Sequence, residues 1–145
     1  VVFDPMRREL FSAMAGKGAF LNGRRIHASK QKELRKSVVG MDLGYLYGKR
    51  EESVRAFNKL AFGTSSFRLT GSAALAMCYV ACGRFDAYFH GSPKAWDAAA
   101  SALIVREAGG KSLEFNGREW NLKSQNMLSC NKLLEKQLLD KIGRK

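Results

Sequence analysis

The chain has 145 residues, 46% of them hydrophobic and only 2 of them proline, which is enough for one globular domain with its own core and too little bias for a disordered or linker-rich protein. Its apolar stretches are broken by Gly, Arg or Lys well short of the roughly 18 residues a membrane-spanning helix needs. A formal charge of +12, from 25 Lys and Arg against 13 Asp and Glu, favours anionic partners, yet the basic residues are dispersed without the interleaved aromatics of a nucleic-acid groove.

Those basic residues fall in Arg7-Arg8, Arg24-Arg25, the stretch Lys30 to Lys36 and the tail Gly143-Arg144-Lys145. A lopsided solvated surface is therefore the expectation, and a nucleic-acid partner is not. The opening VVFDP has no initiator Met, basic leader or cleavage signal and reads like the middle of a strand, so the chain is expected to be part of something longer.

In chain order, three short antiparallel strands come first: Val1–Phe3, Glu9–Ala15, and Gly18–Asn22 with Ile26 beyond the turn. Asp4-Pro5 ends the first, and Asn22-Gly23 is a two-residue hairpin turn. From Ser37 the rhythm changes. SVVGMDLG is a compact run fit for a buried strand, and EESVRAFNKLAFG is a helix with Val54, Phe57, Leu60 and Ala61 on its apolar face. SSFRLTG then reads as a strand, SAALAMCYVACG as a buried helix, FDAYFHG as a strand and WDAAASALIVREAGG as a second very apolar helix. Strands KSLEFNG and MLSCN follow, and the closing KLLEKQLLDKIGRK presents Leu133, Leu134, Leu138 and Ile142 on one face of an amphipathic helix.

This alternation predicts an α/β fold, with a mostly parallel sheet flanked by helices on both faces and preceded by antiparallel hairpin strands from an upstream layer. The corresponding division is 1–36 for the end of an antiparallel region and 37–145 for an α/β domain. Cys78, Cys82 and Cys130 are an odd number without metal-ligand spacing. The first two sit one helical turn apart as buried thiols, and a reducing cytoplasm is the expected location.

Four features carry chemical potential. Asp97, in the first turn of a helix over Ala98–Ala108, can cap that helix by accepting the next amides or can stand where a metal-bound phosphate docks. One carboxylate cannot hold Mg²⁺ alone, because that ion takes six oxygens. Gly71-Ser72-Ala73 begins a second helix after a strand, where it either caps or meets a ligand. Ligands of open α/β sheets sit at the carboxyl ends of strands, so these two helix starts could face one cleft. Asp86 and His90 lie i and i+4 along a strand, on one face, and could share its rim. No Ser–His–Asp or Cys–His grouping is legible, so covalent catalysis has no support.

At this point the residues resemble a known family. WDAAASALIVREAGG is similar to the C-terminal signature of the inositol monophosphatase family: an aromatic–Asp pair, small residues, an aliphatic run and Glu-Ala-Gly-Gly. DPMRRELFSAMAGKGAFLNGRRI resembles the family's hairpin segment, and RLTGSAALAMCYVACGRFDAYF its Gly-Ser-Ala-Ala helix and following strand, so the likeness covers nearly the whole chain. It implies layered α and β structure and a Mg²⁺-dependent, lithium-sensitive phosphatase. Such an enzyme uses metal-activated water, with two or three Mg²⁺ ions in the intact protein, on small phosphate monoesters of the inositol phosphate, sugar bisphosphate or phosphoadenosine type.

By position, the resemblance implies Asp97 as a metal ligand. It also implies Gly71, Ser72 and Ala73 as the turn that meets substrate hydroxyls, Asp86 as a polar residue at the substrate rim, and a homodimer. There are two departures. The family's upstream Glu-Glu pair and Asp-Pro-hydrophobic-Asp-Gly-Thr loop have no counterpart here, so the chain matches the C-terminal portion and no significant turnover is expected of it alone. His90 stands where inositol-specific members carry Glu, and an imidazole cannot replace a pair of carboxylate acceptors. A more anionic substrate gains from that change. The alternatives are a basic binding module and a degenerate member that contacts nucleic acid or protein.

Overall fold

The computed structural model describes residues 1–44 and 47–143, so Arg144 and Lys145 of the basic tail lie outside the described residues. The opening segment forms a four-stranded antiparallel sheet of β1 (Val2–Asp4), β2 (Glu9–Met14), β3 (Gly18–Leu21) and β4 (Arg24–Ile26), in that order. The expected third strand is two: Asn22 and Gly23, both at positive φ, close the predicted hairpin so tightly that Arg24–Ile26 pairs back as its own strand. Asp4 lies inside β1. Its carboxylate, buried at 2% exposure, accepts the amides of Met6 and Arg7 and pairs with the Arg7 guanidinium at 3.0 Å.

The second sheet contains β5 (Val38–Asp42), β6 (Ser66–Leu69), β7 (Ala87–His90), β8 (Gly110–Leu113) and β9 (Met127–Asn131), in the spatial order β6-β5-β7-β9-β8. The pairings of β5 with β6 and with β7 are parallel, and those of β9 with β7 and β8 are antiparallel. The sheet is thus parallel in two of its four pairings, where a mostly parallel sheet was expected. The reason is local: β8 and β9 are joined without a crossover helix, and such a return connection reverses the strand.

Helices α1 (Arg50–Leu60) and α4 (Glu135–Ile142) cover one face of this sheet. Ala56, Leu60, Leu138 and Ile142 pack there with Val39, Met41, Phe89 and Leu128. Helices α2 (Ala73–Ala81) and α3 (Ala95–Glu107) cover the other face, where Met77, Val80, Ala102 and Val105 join Tyr88 and Met127. The opposite side of this helix pair meets the first sheet through Phe11 and Ala19 in the same core. Sheet, helices, sheet and helices therefore alternate. The middle position explains why α2 and α3 are so apolar, since layers bury both of their sides. Small residues let the two helices approach, and Ser101 Oγ donates to the Ala74 carbonyl at 3.1 Å.

The apolar face of α1 is rotated from the expected one. Ser53, Ala56 and Leu60 are buried while Val54 is 41% exposed. Ser53 can go inside because its hydroxyl donates to the Asp42 carbonyl at 3.0 Å and accepts the Gly91 amide at 2.8 Å, a pairing hydropathy cannot register. At the chain's end Leu134, Leu138 and Ile142 are buried as expected, whereas Leu133 precedes the helix and is half exposed. Cys78 and Cys130 are buried thiols, pushed up to about 12 by desolvation, and Cys82 is only half-buried. No helix of the described residues is long and apolar enough to cross a membrane.

Candidate functional site

Strands β5, β6 and β7 run in the same direction, so their carboxyl ends share one edge of the sheet. Asp42 and His90 are register partners there, and Leu69 ends the neighbouring strand. Each strand then turns away: β6 leads through Gly71 into α2, and β7 leads through Gly91 into α3. A cleft of about 390 Å³ opens at this edge, lined by Asp42, Gly44, Arg50, Gly71, Ser72, Ala73, His90, Trp96 and Asp97 among others. Its size suits a small molecule.

Of the residues expected to form a site, Gly71, Ser72, Ala73, His90 and Asp97 come together in this cleft. Gly71 adopts φ +72, a left-handed conformation that only glycine takes readily. Its amide donates to Asp42 Oδ1 at 3.1 Å. Ser72 caps α2, its Oγ accepting the Leu75 amide at 3.3 Å. The Ala76 amide reaches the Ser72 carbonyl, and among the described residues the amides of Ala73 and Ala74 in the first turn have no partner.

Asp97 caps α3 in a different way from the expected one. The helix begins at Ala95, which makes Asp97 its third residue. The carboxylate reaches backwards, Oδ2 accepting the Lys94 amide at 3.1 Å, as an acidic residue at this position does in a capping box. With the helix expected over Ala98–Ala108, Asp97 stood before its amides and was expected to accept them, whereas Ala95 and the exposed Trp96 already belong to α3. Oδ1 makes no hydrogen bond among the described residues.

Asp86 does not join the cleft. It stands before the first residue of β7, at the far end from His90, because a strand rises about 3.3 Å per residue and the shared face spans its whole length. Its carboxylate accepts the Val38 amide at 2.8 Å and the Ser29 hydroxyl, tying the link between the two sheets to β5. Asp86→Ala is expected to lower unfolding stability by about 1–3 kcal/mol without changing ligand binding in the cleft. Denaturant melts and a parallel titration separate the two effects, and weakened ligand binding would return Asp86 to the site.

Asp42 was missed, and it organises the site. Its Oδ2 accepts the Tyr88 hydroxyl at 3.1 Å while Oδ1 holds Gly71. Burial and the Asp42 charge raise Tyr88 well above the ordinary phenol value, keeping it a donor. The available signal was one acid at the end of an apolar strand, with glycine two residues later. Gly44 sits at φ +74, and a Cβ there would lie 2.9 Å from His90 Cε1, so glycine is required for the loop to pass the imidazole. Arg50 was missed too, since a cation opening an acidic helix has no sequence signal.

His90 is 5% exposed. Its Nδ1 accepts the Ser92 amide at 2.9 Å, which assigns the hydrogen of the neutral ring to Nε2. Burial pushes its pKa below 6.5, while Asp42 and Asp97 push it the other way. Between the lowered folded value and 6.5 the unfolded chain binds more protons, so stability rises with pH across that window and levels off above it. The metal-free chain should therefore unfold more readily as pH falls below about 6.5. His90→Gln should flatten that slope in urea titrations, and an unchanged slope would assign it to another group.

Among the described residues no group of three or more His, Cys, Asp or Glu is arranged to hold a metal. Mg²⁺ commonly takes only one or two carboxylates and keeps waters. The open Oδ1 of Asp97 therefore fits one coordination position, not a complete site.

Comparison with known proteins decides the family. A model described as the inositol monophosphatase family matches residues 1–144. The chain belongs to the inositol monophosphatase family. Inositol monophosphatase 1 of Solanum lycopersicum is 40% identical over 145 residues, covering 97% of this chain and 52% of that protein. Nus factor SuhB of Haemophilus influenzae is 41% identical over 143 residues, covering 98% of this chain and 54% of that protein.

Among solved structures, the extragenic suppressor protein suhB from Bartonella henselae superposes with a TM-score of 0.91 at 31% identity, over 98% of this chain and 55% of that one. Inositol monophosphatase from Anabaena gives 0.89 at 34% identity, over 97% and 56%. The chain thus spans about half the length of the relatives it matches. The layered architecture described above is the inositol monophosphatase fold, seen here over the shared half.

Proposed function

We propose that this chain is the C-terminal portion of a Mg²⁺-dependent phosphatase that hydrolyses small phosphate monoesters. The observation that carries the reading is the convergence of Asp97 with the Gly71-Ser72-Ala73 helix start at the carboxyl edge of parallel strands, in one cleft. When bound, Mg²⁺ would supply an activated water and neutralise developing phosphate charge. Asp97 would hold one ion through Oδ1 while Oδ2 keeps the Lys94 amide, so the ligand is pre-oriented by the helix it caps. The open amides of Ala73 and Ala74 would orient substrate oxygens. Asp42 would keep the Gly71 turn in register, and Tyr88 would fix Asp42 in turn.

His90 argues against an inositol-specific site. With Nδ1 engaged by Ser92, the neutral ring has one N–H to offer, where a carboxylate would offer only acceptors. A substrate that turns an acceptor oxygen to this wall, such as a phosphate or a ring carbonyl, fits better than one that turns a hydroxyl proton to it.

The test is phosphate release with Mg²⁺ from inositol 1-phosphate, fructose 1,6-bisphosphate and 3′-phosphoadenosine 5′-phosphate. It compares the chain alone with the chain joined to the amino-terminal half of the tomato relative. Turnover only in the joined protein supports the reading. Silence from a joined protein shown to be folded would transfer it to a non-catalytic role, and turnover by the chain alone would overturn the assignment of ligands beyond it.

A second reading has its own support in the +12 charge and in relatives named Nus factors. That naming weakens the expectation against a nucleic-acid partner. On this reading RNA affinity falls steeply between two salt concentrations, and its absence at low salt leaves the phosphatase alone. Homodimerisation and a cytoplasmic location belong to the same proposal, the former testable by sedimentation.

A further inference from the structure

From its place in the cleft we infer that Arg50 receives a second anionic group of the substrate, so that the site prefers a bisphosphate to a monophosphate. The inference rests on the phosphatase reading above and adds to it the substrate class and the residue that selects it. Arg50 is the first residue of α1, the end of a helix where a cation is electrostatically disfavoured. Stabilising its own helix is therefore a poor account of it. The acids at 51 and 52 do not neutralise it either: Arg50 makes no ion pair among the described residues, and Glu52 is engaged by Asn126 at 2.7 Å.

The side chain is nevertheless held in place. Nε donates to the Gly44 carbonyl at 3.0 Å, and the guanidinium lies 4.1 Å from the centre of the Tyr47 ring. One edge and one face of the group are thereby fixed, which leaves its terminal N–H groups for a ligand. A guanidinium stacked and oriented in this manner loses little freedom when it meets a phosphate, whose oxygens match its fork.

Gly44 joins this cation to the rest of the wall. Its carbonyl holds Arg50, and its bare Cα admits the His90 ring. Arg50 and the single N–H of His90 are thus donors in the cleft that also contains the carboxylates of Asp42 and Asp97. A cleft with carboxylates on one part of its lining and donors on another suits a molecule with two phosphates. One would meet the metal at Asp97, and the other would meet the guanidinium. The exposed Trp96 lines the same cleft, whereas the chain's other tryptophan, Trp120, is buried. Indole fluorescence therefore reports occupancy without requiring turnover.

The experiment titrates the full chain, in low salt and millimolar Mg²⁺, with fructose 1,6-bisphosphate, fructose 6-phosphate and fructose 1-phosphate, followed by calorimetry and by Trp96 fluorescence. The bisphosphate is expected to bind about tenfold or more tightly than either monophosphate. Arg50→Gln should abolish that advantage, leaving the bisphosphate no tighter than the monophosphates, and Arg50→Lys should retain part of it. Equal affinities in the wild type, or an advantage that survives in a folded Arg50→Gln protein, overturn the inference alone. If no sugar phosphate binds, the phosphate-cleft reading fails and this inference fails with it.

Discussion

Asp97→Asn should reduce phosphate release by the joined enzyme at least about 100-fold, since even partners behind a metal ligand are worth about 10- to 100-fold. The fold should persist, because the amide oxygen of Asn can still accept the Lys94 amide at the start of α3. What disappears is the negative charge, and with it the attraction for a divalent cation. Asp97→Ala removes both roles, and should add about 0.5–2 kcal/mol of lost stability from the uncapped helix. The two variants therefore separate capping from metal binding. Mg²⁺ titration and thermal melts of both give the comparison, and wild-type turnover in Asp97→Asn would sink the ligand assignment.

Phe89→Ala should be the most damaging single truncation in the core, at about 3–5 kcal/mol. Typical domains are stable by about 5–15 kcal/mol in total, so the variant would be close to unfolding. Phe89 is fully buried on β7, in the interior of the second sheet. Edge-on ring contacts at 6.4 Å join it to Phe67 on β6 and to Phe115 beyond β8. Removing the ring leaves a void between the sheet and the α1/α4 layer that neighbouring strands cannot close without breaking register. Phe62→Ala is the control: that ring is fully exposed, and its loss should stay within about 0.5 kcal/mol. Urea unfolding of the pair measures the difference, and similar midpoints would mean that the sheet relaxes around the missing ring.

Much of the architecture was legible because burial leaves periodic traces. The apolar runs of α2 and α3 announced helices packed between layers, and Asn22-Gly23 announced a hairpin. Where a polar side chain is buried and paired, as Ser53 is, the trace misleads, and the predicted face of α1 rotated accordingly. The mixed sheet escaped prediction for a related reason. Hydropathy marks β9 as buried, but its direction depends on the connection from β8, which carries no helix.

The candidate site divides along the same line. Local sequence determined Asp97 and Gly71-Ser72-Ala73, because helix starts carry residue preferences set by the amides within one turn. It also determined the family, through motifs spread over nearly the whole chain. Only the tertiary structure decided which of these residues share a cleft. It left Asp86 out, because that residue stands before β7 at the end opposite His90, and it brought in Asp42 and Arg50. Period-two alternation reports which face a strand residue occupies and nothing about its height along the strand. Height is set by the parallel register of β5, β6 and β7, a pairing between segments distant in sequence, and it is that register that places the carboxyl ends of the three strands at a common edge.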